Sequence, residues 1–267
     1  MNWTLGVQLL AGGGVMIAAM AALWALQRLI HDAGIVDVAW SAGLGFFAIL
    51  MACTSGDGDS GRRALLAGLA SAWAFRLSSH MLNDRVLGKP EAGRYQMMRN
   101  RLGDGVDRFF FAYYMMQAWF AILFALPFAA AAHNPAPFPA WTDFLAILIW
   151  AVATVGESIA DAQLAKFRGD ARNDRTTLRT GLWKYTRHPN YFFEWLHWWT
   201  YVLLAAGSGS AWLALLTGPV AMFLFLWYVS GIPHTEAQAL RTRTDYAEYQ
   251  RSTSAFLPWF PKQATPT

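Results

Sequence analysis

The segment Arg187-His188-Pro189-Asn190-Tyr191-Phe192-Phe193-Glu194 places ionisable and amide side chains beside an apolar run. Pro189 suits the first turn of a helix, where its missing N–H has no partner to lose. A helix begun there carries Asn190 and Glu194 on one face, with His197 a turn further along. Arg187 and His188 then sit just before the helix, beside its positive end, a setting for an anionic ligand or cofactor. An interfacial anchor of aromatic and basic residues uses the same residue types. Glu157 and Asp161 form a second pair one turn apart, and two like charges on one face call for a cation opposite. Asp37 stands in Ile35-Val36-Asp37-Val38-Ala39-Trp40. A carboxyl buried alone favours its neutral form, and a neutral carboxylic acid can donate to an oxygen on which charge develops. An interhelical hydrogen bond is the plainer use of Asp37. Arg76 and His80, also one turn apart, can either snorkel to the headgroups or join such chemistry.

These residues need elements to hold them. The 267 residues are 55% hydrophobic and 14% charged, against about 25% charged in soluble domains. Much of the surface must therefore face lipid. A helix crosses a bilayer core with about 20 apolar residues. Runs at 5–27, 33–54, 63–83, 109–132, 141–162, 190–206 and 211–231 meet that need, the sixth being short and Trp-rich. The stretches 84–108 and 163–189 are too polar to span and form two large loops. Lys and Arg concentrate in those loops and in the C-terminal tail, Arg62 and Arg63 being exceptions. By the positive-inside rule both loops and the C-terminus face the cytoplasm and the N-terminus lies outside. The fold class is all-α: a polytopic seven-transmembrane helix bundle. It forms one domain over 1–267, with residues 141–262 carrying most of a cytoplasm-facing site. The single cysteine, Cys53, excludes an intramolecular disulfide. No cleavable signal peptide and no internal repeat are evident.

The ordered set of motifs resembles the steroid 5-alpha reductase family, most closely its bacterial membrane branch. It runs from Ile35–Trp40 through Arg76–Arg85, Arg94-Tyr95-Gln96-Met97-Met98, Glu157–Gln163 with Phe167-Arg168, and 180–194. It closes with Pro233-His234-Thr235-Glu236, Tyr246, Tyr249 and Ala255-Phe256-Leu257-Pro258. The resemblance implies a seven-helix bundle enclosing NADPH and a lipophilic, steroid-like enone whose C=C bond is reduced. It implies catalytic roles for Asp37, Asn190 and Glu194. Asn190 and Glu194 would face the nicotinamide, and Glu157, Asp161 and Arg168 would contact the rest of the nucleotide. Lys166, Asn173, Arg187, His188 and Tyr191 would complete the cofactor site, with His234, Tyr246 and Tyr249 from the tail. Arg76, His80, Asn83 and Arg85 would add to it from the end of the third span. Asp37, Trp40, Trp73 and Tyr113 would contact substrate, Trp73 falling near the family's carbonyl-polarising tyrosine.

NADPH carries about four negative charges, which the basic loops can balance. No Gly-x-Gly-x-x-Gly stands between a strand and a helix, so a Rossmann domain is not the source of binding. The expected partners are membrane lipids and the enone, with no nucleic acid and no metal. A monomer in a bacterial inner membrane is expected. The rival reading is an S-adenosylmethionine-dependent methyltransferase of the isoprenylcysteine carboxyl type, which shares an Arg-His-Pro-x-Tyr stretch, a Glu and a Tyr-x-x-Tyr tail. Asn190, Glu194 and Asp37-x-x-Trp40 favour the reductase. Six His without an H-x-x-x-H pair argue against a di-iron oxygenase. A transporter would show related halves, and none are found.

Overall fold

Long apolar runs, punctuated by Gly, Pro, Asp and Ser, fold as helices. The computed structural model describes residues 2–173, 175–229 and 231–262, and no strand occurs among them. Two compact units divide the chain: residues 1–143 with 201–217, and residues 144–200 with 218–267.

In the first unit, α1 (Leu5–Ile30) starts at Thr4, whose hydroxyl accepts from the Val7 amide, and stops at His31 in the left-handed conformation. A tight turn leads to α2 (Ile35–Thr54). The next helix, α3 (Ser60–Met81), is capped by Asp59, whose carboxylate accepts from the Gly61 and Arg62 amides. A polar helix follows, α4 (Gly93–Leu102), and then α5 (Val106–Ala132). Helices α2 and α3 pack through small residues: a Cβ on Gly45 would lie 2.8 Å from that of Ala74. Ser41 and Ser78 share a hydrogen bond of 2.9 Å there. Small residues and hydroxyls bring helices together where lipid removes the hydrophobic drive.

The two arginines that break the charge pattern are structural. The side chains of Arg62 and Asp143 are 1% and 2% exposed, joined by two hydrogen bonds of 2.8 and 2.9 Å. Arg62 also donates to the carbonyls of Ala136 and Pro137 at 2.7 and 3.1 Å. Arg63 donates to the Ala52 and Ser55 carbonyls at the end of α2, where helix carbonyls lack partners.

The second unit is built on most of α6 (Trp141–Arg168) and α7 (Pro189–Leu204). Pro189 opens α7, as its missing N–H dictates. The ring of Phe193 covers Gly156, where a Cβ would lie 2.4 Å from the ring, so the two helices meet closely there. Beyond α8 (Ala211–Leu215), two π-type turns interrupt the last long helical run. Pro219 sits in the first, and its carbonyl accepts from the Trp195 indole at 3.0 Å. Short helices α9 (Ala221–Leu224), α10 (Ile232–Thr242) and α11 (Tyr246–Ser252) complete the unit.

Among the described residues, five helical runs are long and apolar enough to cross a membrane: Leu5–Ile30, Ile35–Thr54, Gly93–Ala132, Trp141–Arg168 and Ala211–Thr242. Helices also stand at the other two expected positions. With 16 residues α7 is shorter than the roughly 20 a core needs, and α3 is diluted by Arg62, Arg63, Arg76 and His80. The chain is thus all-helical, with several helices suited to lipid. The polar stretch 84–108, expected as a loop, contains α4, whose Arg99 is held by Glu91 at 2.8 Å.

Candidate functional site

In the first unit, Asp37 lies in the first turn of α2 and meets α4. Arg94 forms a salt bridge with one Asp37 oxygen, and the Tyr95 hydroxyl lies 3.2 Å from both. The Arg94 guanidinium also donates to the Tyr95 hydroxyl at 2.8 Å and covers its ring at 4.6 Å. Tyr95 is fully buried and packs edge-on against Phe110 and Tyr113. Gln117 donates to the Tyr113 hydroxyl at 3.2 Å. Asp37 therefore acts as an acceptor, and the donors of this cluster are Arg94 and Tyr95. The residue expected to serve as a neutral donor, Asp37, thus lies beside a guanidinium. Two further N–H groups in the region, Arg94 Nε and Trp40 Nε1, are buried with no hydrogen-bond partner. Trp40 lies one turn beyond Asp37 and contacts Phe124 edge-on at 5.7 Å. Trp73 is wholly buried in α3. Arg76 and His80 are half-buried on α3, while Asn83 and Arg85 are exposed just after it. The Asn83 amide donates to the Ser79 carbonyl at 2.8 Å, closing the turn.

In the second unit, the residues before α7 are tied to the tail. Arg187 Nε donates to Glu236 Oε1 at 2.6 Å, and its Nη1 donates to the Gln250 carbonyl at 2.9 Å and to that of Thr253. The Arg187 amide donates to the Ser254 carbonyl at 2.9 Å. His188 Nε2 is 3.2 Å from the same Glu236 oxygen, and its ring stacks on Tyr191 at 5.2 Å. Gln250 donates to the other Glu236 oxygen at 2.6 Å. Glu236 is thus the hub of this knot. Tyr249 donates to the carbonyls of Trp183 and Thr186 and packs edge-on against Tyr246. Burial pushes both phenols above their usual range, so each stays a neutral donor.

Asn190 donates to Asp161 Oδ1 at 3.4 Å, joining the start of α7 to α6. Glu157 and Glu194 are buried, and Glu194 Oε1 accepts from the Trp198 indole at 3.1 Å. Lys166 and Arg168 are exposed at the end of α6. The Asn173 amide donates to the Phe167 carbonyl at 2.9 Å, which fixes the turn after α6. His234 is exposed on α10. The expected substrate residues Asp37, Trp40, Trp73 and Tyr113 all belong to the first unit. So do Arg76, His80, Asn83 and Arg85, while the other expected cofactor residues belong to the second.

Burial pushes the His188 imidazole below its usual 6.5, although its hydrogen bond to Glu236 pulls the other way. The unfolded chain then takes up a proton near pH 6.5 that the folded chain resists. His188 lets stability stand in full above about pH 6.5 and fall as pH drops from there toward its lower folded value. Unfolding midpoints in detergent at pH 7.5 and 5.5 should show that fall, and His188→Gln should flatten it. An equal fall in the variant would assign it to other groups.

No curated protein matches the chain, and no solved structure matches it. One family does match, over residues 23–253, described as "Protein of unknown function (DUF1295)". That match reaches into both units and covers every candidate site residue from Asp37 to Tyr249. The chain belongs to the DUF1295 family, which is related to steroid 5-alpha reductase-like membrane proteins.

Proposed function

We propose that the protein is an NADPH-dependent reductase of an α,β-unsaturated ketone in a lipophilic, steroid-like substrate. The observation that carries this reading is the Asn190–Asp161 hydrogen bond, which joins two sequence motifs into one polar group in an apolar setting. A carboxamide and a carboxylate can together hold an amide-bearing ring and a ribose. Exposed Lys166 and Arg168 stand a short way along α6 from Asp161, as phosphate recognition needs. When bound, NADPH supplies the hydride, so the chain needs neither nucleophile nor metal.

The first unit, taken by itself, holds a donor set that suits an oxygen on which charge develops. Reduction at the β-carbon builds negative charge on the ketone oxygen, and preplaced donors stabilise it. Trp40 Nε1 and Arg94 Nε are buried donors lacking an acceptor, and such groups call for an explanation. Tyr95 holds a further proton, its hydroxyl kept in place by Asp37 and Arg94. Asp37 serves as the positioning group of this set. The proposal keeps seven spans, the N-terminus outside and a cytoplasmic C-terminus in a bacterial inner membrane. The internal roles of Arg62 and Arg63 support that charge count, because neither is a free loop charge.

Titration of detergent-purified protein is expected to show NADPH bound about 10- to 100-fold more tightly than NADH. That is the worth of one or two charge-assisted hydrogen bonds to the 2′-phosphate. The Arg187–His188–Glu236 knot suits a methyltransferase equally well, so S-adenosylmethionine is the third titrant. Preference for it, or equal affinity for both nucleotides, would sink the reductase.

A further inference from the structure

The C-terminal strap leaves large apolar side chains in the open. Phe256 is buried among Phe192, Trp195, Phe223 and Trp227, with ring centroids 5.3–6.2 Å away. The residues that follow turn outward: Leu257 is 58% exposed, Trp259 72% and Phe260 75%. Backbone hydrogen bonds pin this stretch in place. The Trp259 amide donates to the Tyr185 carbonyl at 2.9 Å, and the Lys262 amide to that of Ser252 at 2.8 Å. Thr186 donates to the carbonyls of Ala255 and Phe256 at 3.2 and 3.0 Å. Phe260 meets the Tyr185 ring edge-on at 6.0 Å, and the Lys184 ammonium lies 5.9 Å from the same ring. Lys184, Arg251 and Lys262 are all exposed around the strap. The nearby acid Glu248 is paired with Arg179 at 3.2 Å.

A fixed aromatic surface edged by cations has a matching solvent. Trp and other amphipathic rings concentrate at headgroup depth, and Lys and Arg beside them meet anionic lipid. The strap belongs to no spanning helix, so its apolar side chains are not explained by the hydrocarbon core. Its backbone is irregular, which bars deep insertion because unpaired carbonyls and amides are too costly there. Headgroup depth satisfies both demands: the rings leave water and the free backbone groups keep it.

We infer that Leu257–Phe260, flanked by Lys184 and Lys262, is a docking surface for anionic phospholipid headgroups that fastens the tail to the bilayer. It does not depend on which reaction the protein performs.

The test uses the full chain in nanodiscs of phosphatidylcholine with phosphatidylglycerol, one copy per disc. Phe260→Cys in a Cys53→Ala background carries a nitroxide, read by power saturation with oxygen and with a water-soluble nickel chelate. Oxygen should relax the label several-fold more than the chelate. The reverse order puts the strap in water and overturns the inference. A label reached by neither reagent is covered by protein, which overturns it as well. A second measurement does not depend on the label. Binding of a headgroup-labelled phosphatidylglycerol to detergent-purified protein should weaken about fivefold for each of Lys184→Gln and Lys262→Gln. Unchanged binding in the double variant, with elution and unfolding as in the parent, also overturns the inference.

Discussion

Replacing Asp143 with alanine is expected to destabilise the protein by about 3–5 kcal/mol, because it strands Arg62 as a buried unpaired charge. The pair is closed off from solvent: both side chains are 2% exposed or less. Asp143 also accepts from the Ala140 amide at 2.7 Å, so its loss frees a backbone donor at the start of α6. The double variant Arg62→Met, Asp143→Leu removes the stranded charge and should recover part of the loss. Recovery stays incomplete, since the carbonyls of Ala136 and Pro137 lose a donor, at about 1–3 kcal/mol for a buried unsatisfied group. Unfolding in mixed-detergent titrations of the wild type, the single variants and the double variant gives the coupling directly. A single-variant loss below about 1 kcal/mol would mean that water reaches Arg62.

The largest catalytic effect is expected at Asn190 and Glu194. On the reductase reading, Asn190→Ala and Glu194→Ala each lower turnover of a 3-oxo-4-ene steroid by about 10²–10³-fold, the scale of losing one preorganised polar contact at a reacting centre. The structural side of each change can be separated. Asn190→Ala removes the contact to Asp161 and an acceptor for the Tyr191 amide. Glu194→Gln keeps an acceptor for the Trp198 indole, so a loss of turnover there reflects charge rather than packing. Turnover is followed as NADPH oxidation, and folding as helical circular dichroism and elution volume. Rates within about twofold of wild type in both variants would place the nicotinamide elsewhere, since that is under 0.5 kcal/mol of barrier.

Local rules read well from the sequence. Pro189 marked the start of α7, and the spacing of Asn190 and Glu194 marked its polar face. Most apolar runs became helices near their expected bounds, because length and composition suffice for a helix in lipid. Pairings across long separations were not legible. Asp37 finds Arg94, 57 positions away, in a stretch that reads as a polar loop. Nothing in the periodicity of 84–108 says that its helix returns to α2. The hub role of Glu236 was equally hidden: Arg187 and His188 meet it 49 and 48 positions on. Arg62 and Arg63 looked like violations of a charge rule, and become intelligible only with their carbonyl and carboxylate acceptors in view. A count of basic residues by side treats every Lys and Arg as free, whereas packing decides which ones are.

The hydrogen bonds from Arg187 to the carbonyls of Gln250, Thr253 and Ser254 bear on how the chain is made. Synthesis runs from the N-terminus, so these acceptors leave the ribosome after all five long apolar runs found among the described residues. A chain stopped a little before residue 250 has all those helices and can enter the bilayer. Its Arg187, though, has carbonyl partners that do not yet exist. Membrane insertion and completion of the polar knot are therefore separable in time, the second waiting on synthesis of residues 250–254. A stop codon just before residue 250, or a short deletion over residues 250–254, should give protein that reaches the membrane and is then cleared as unfinished.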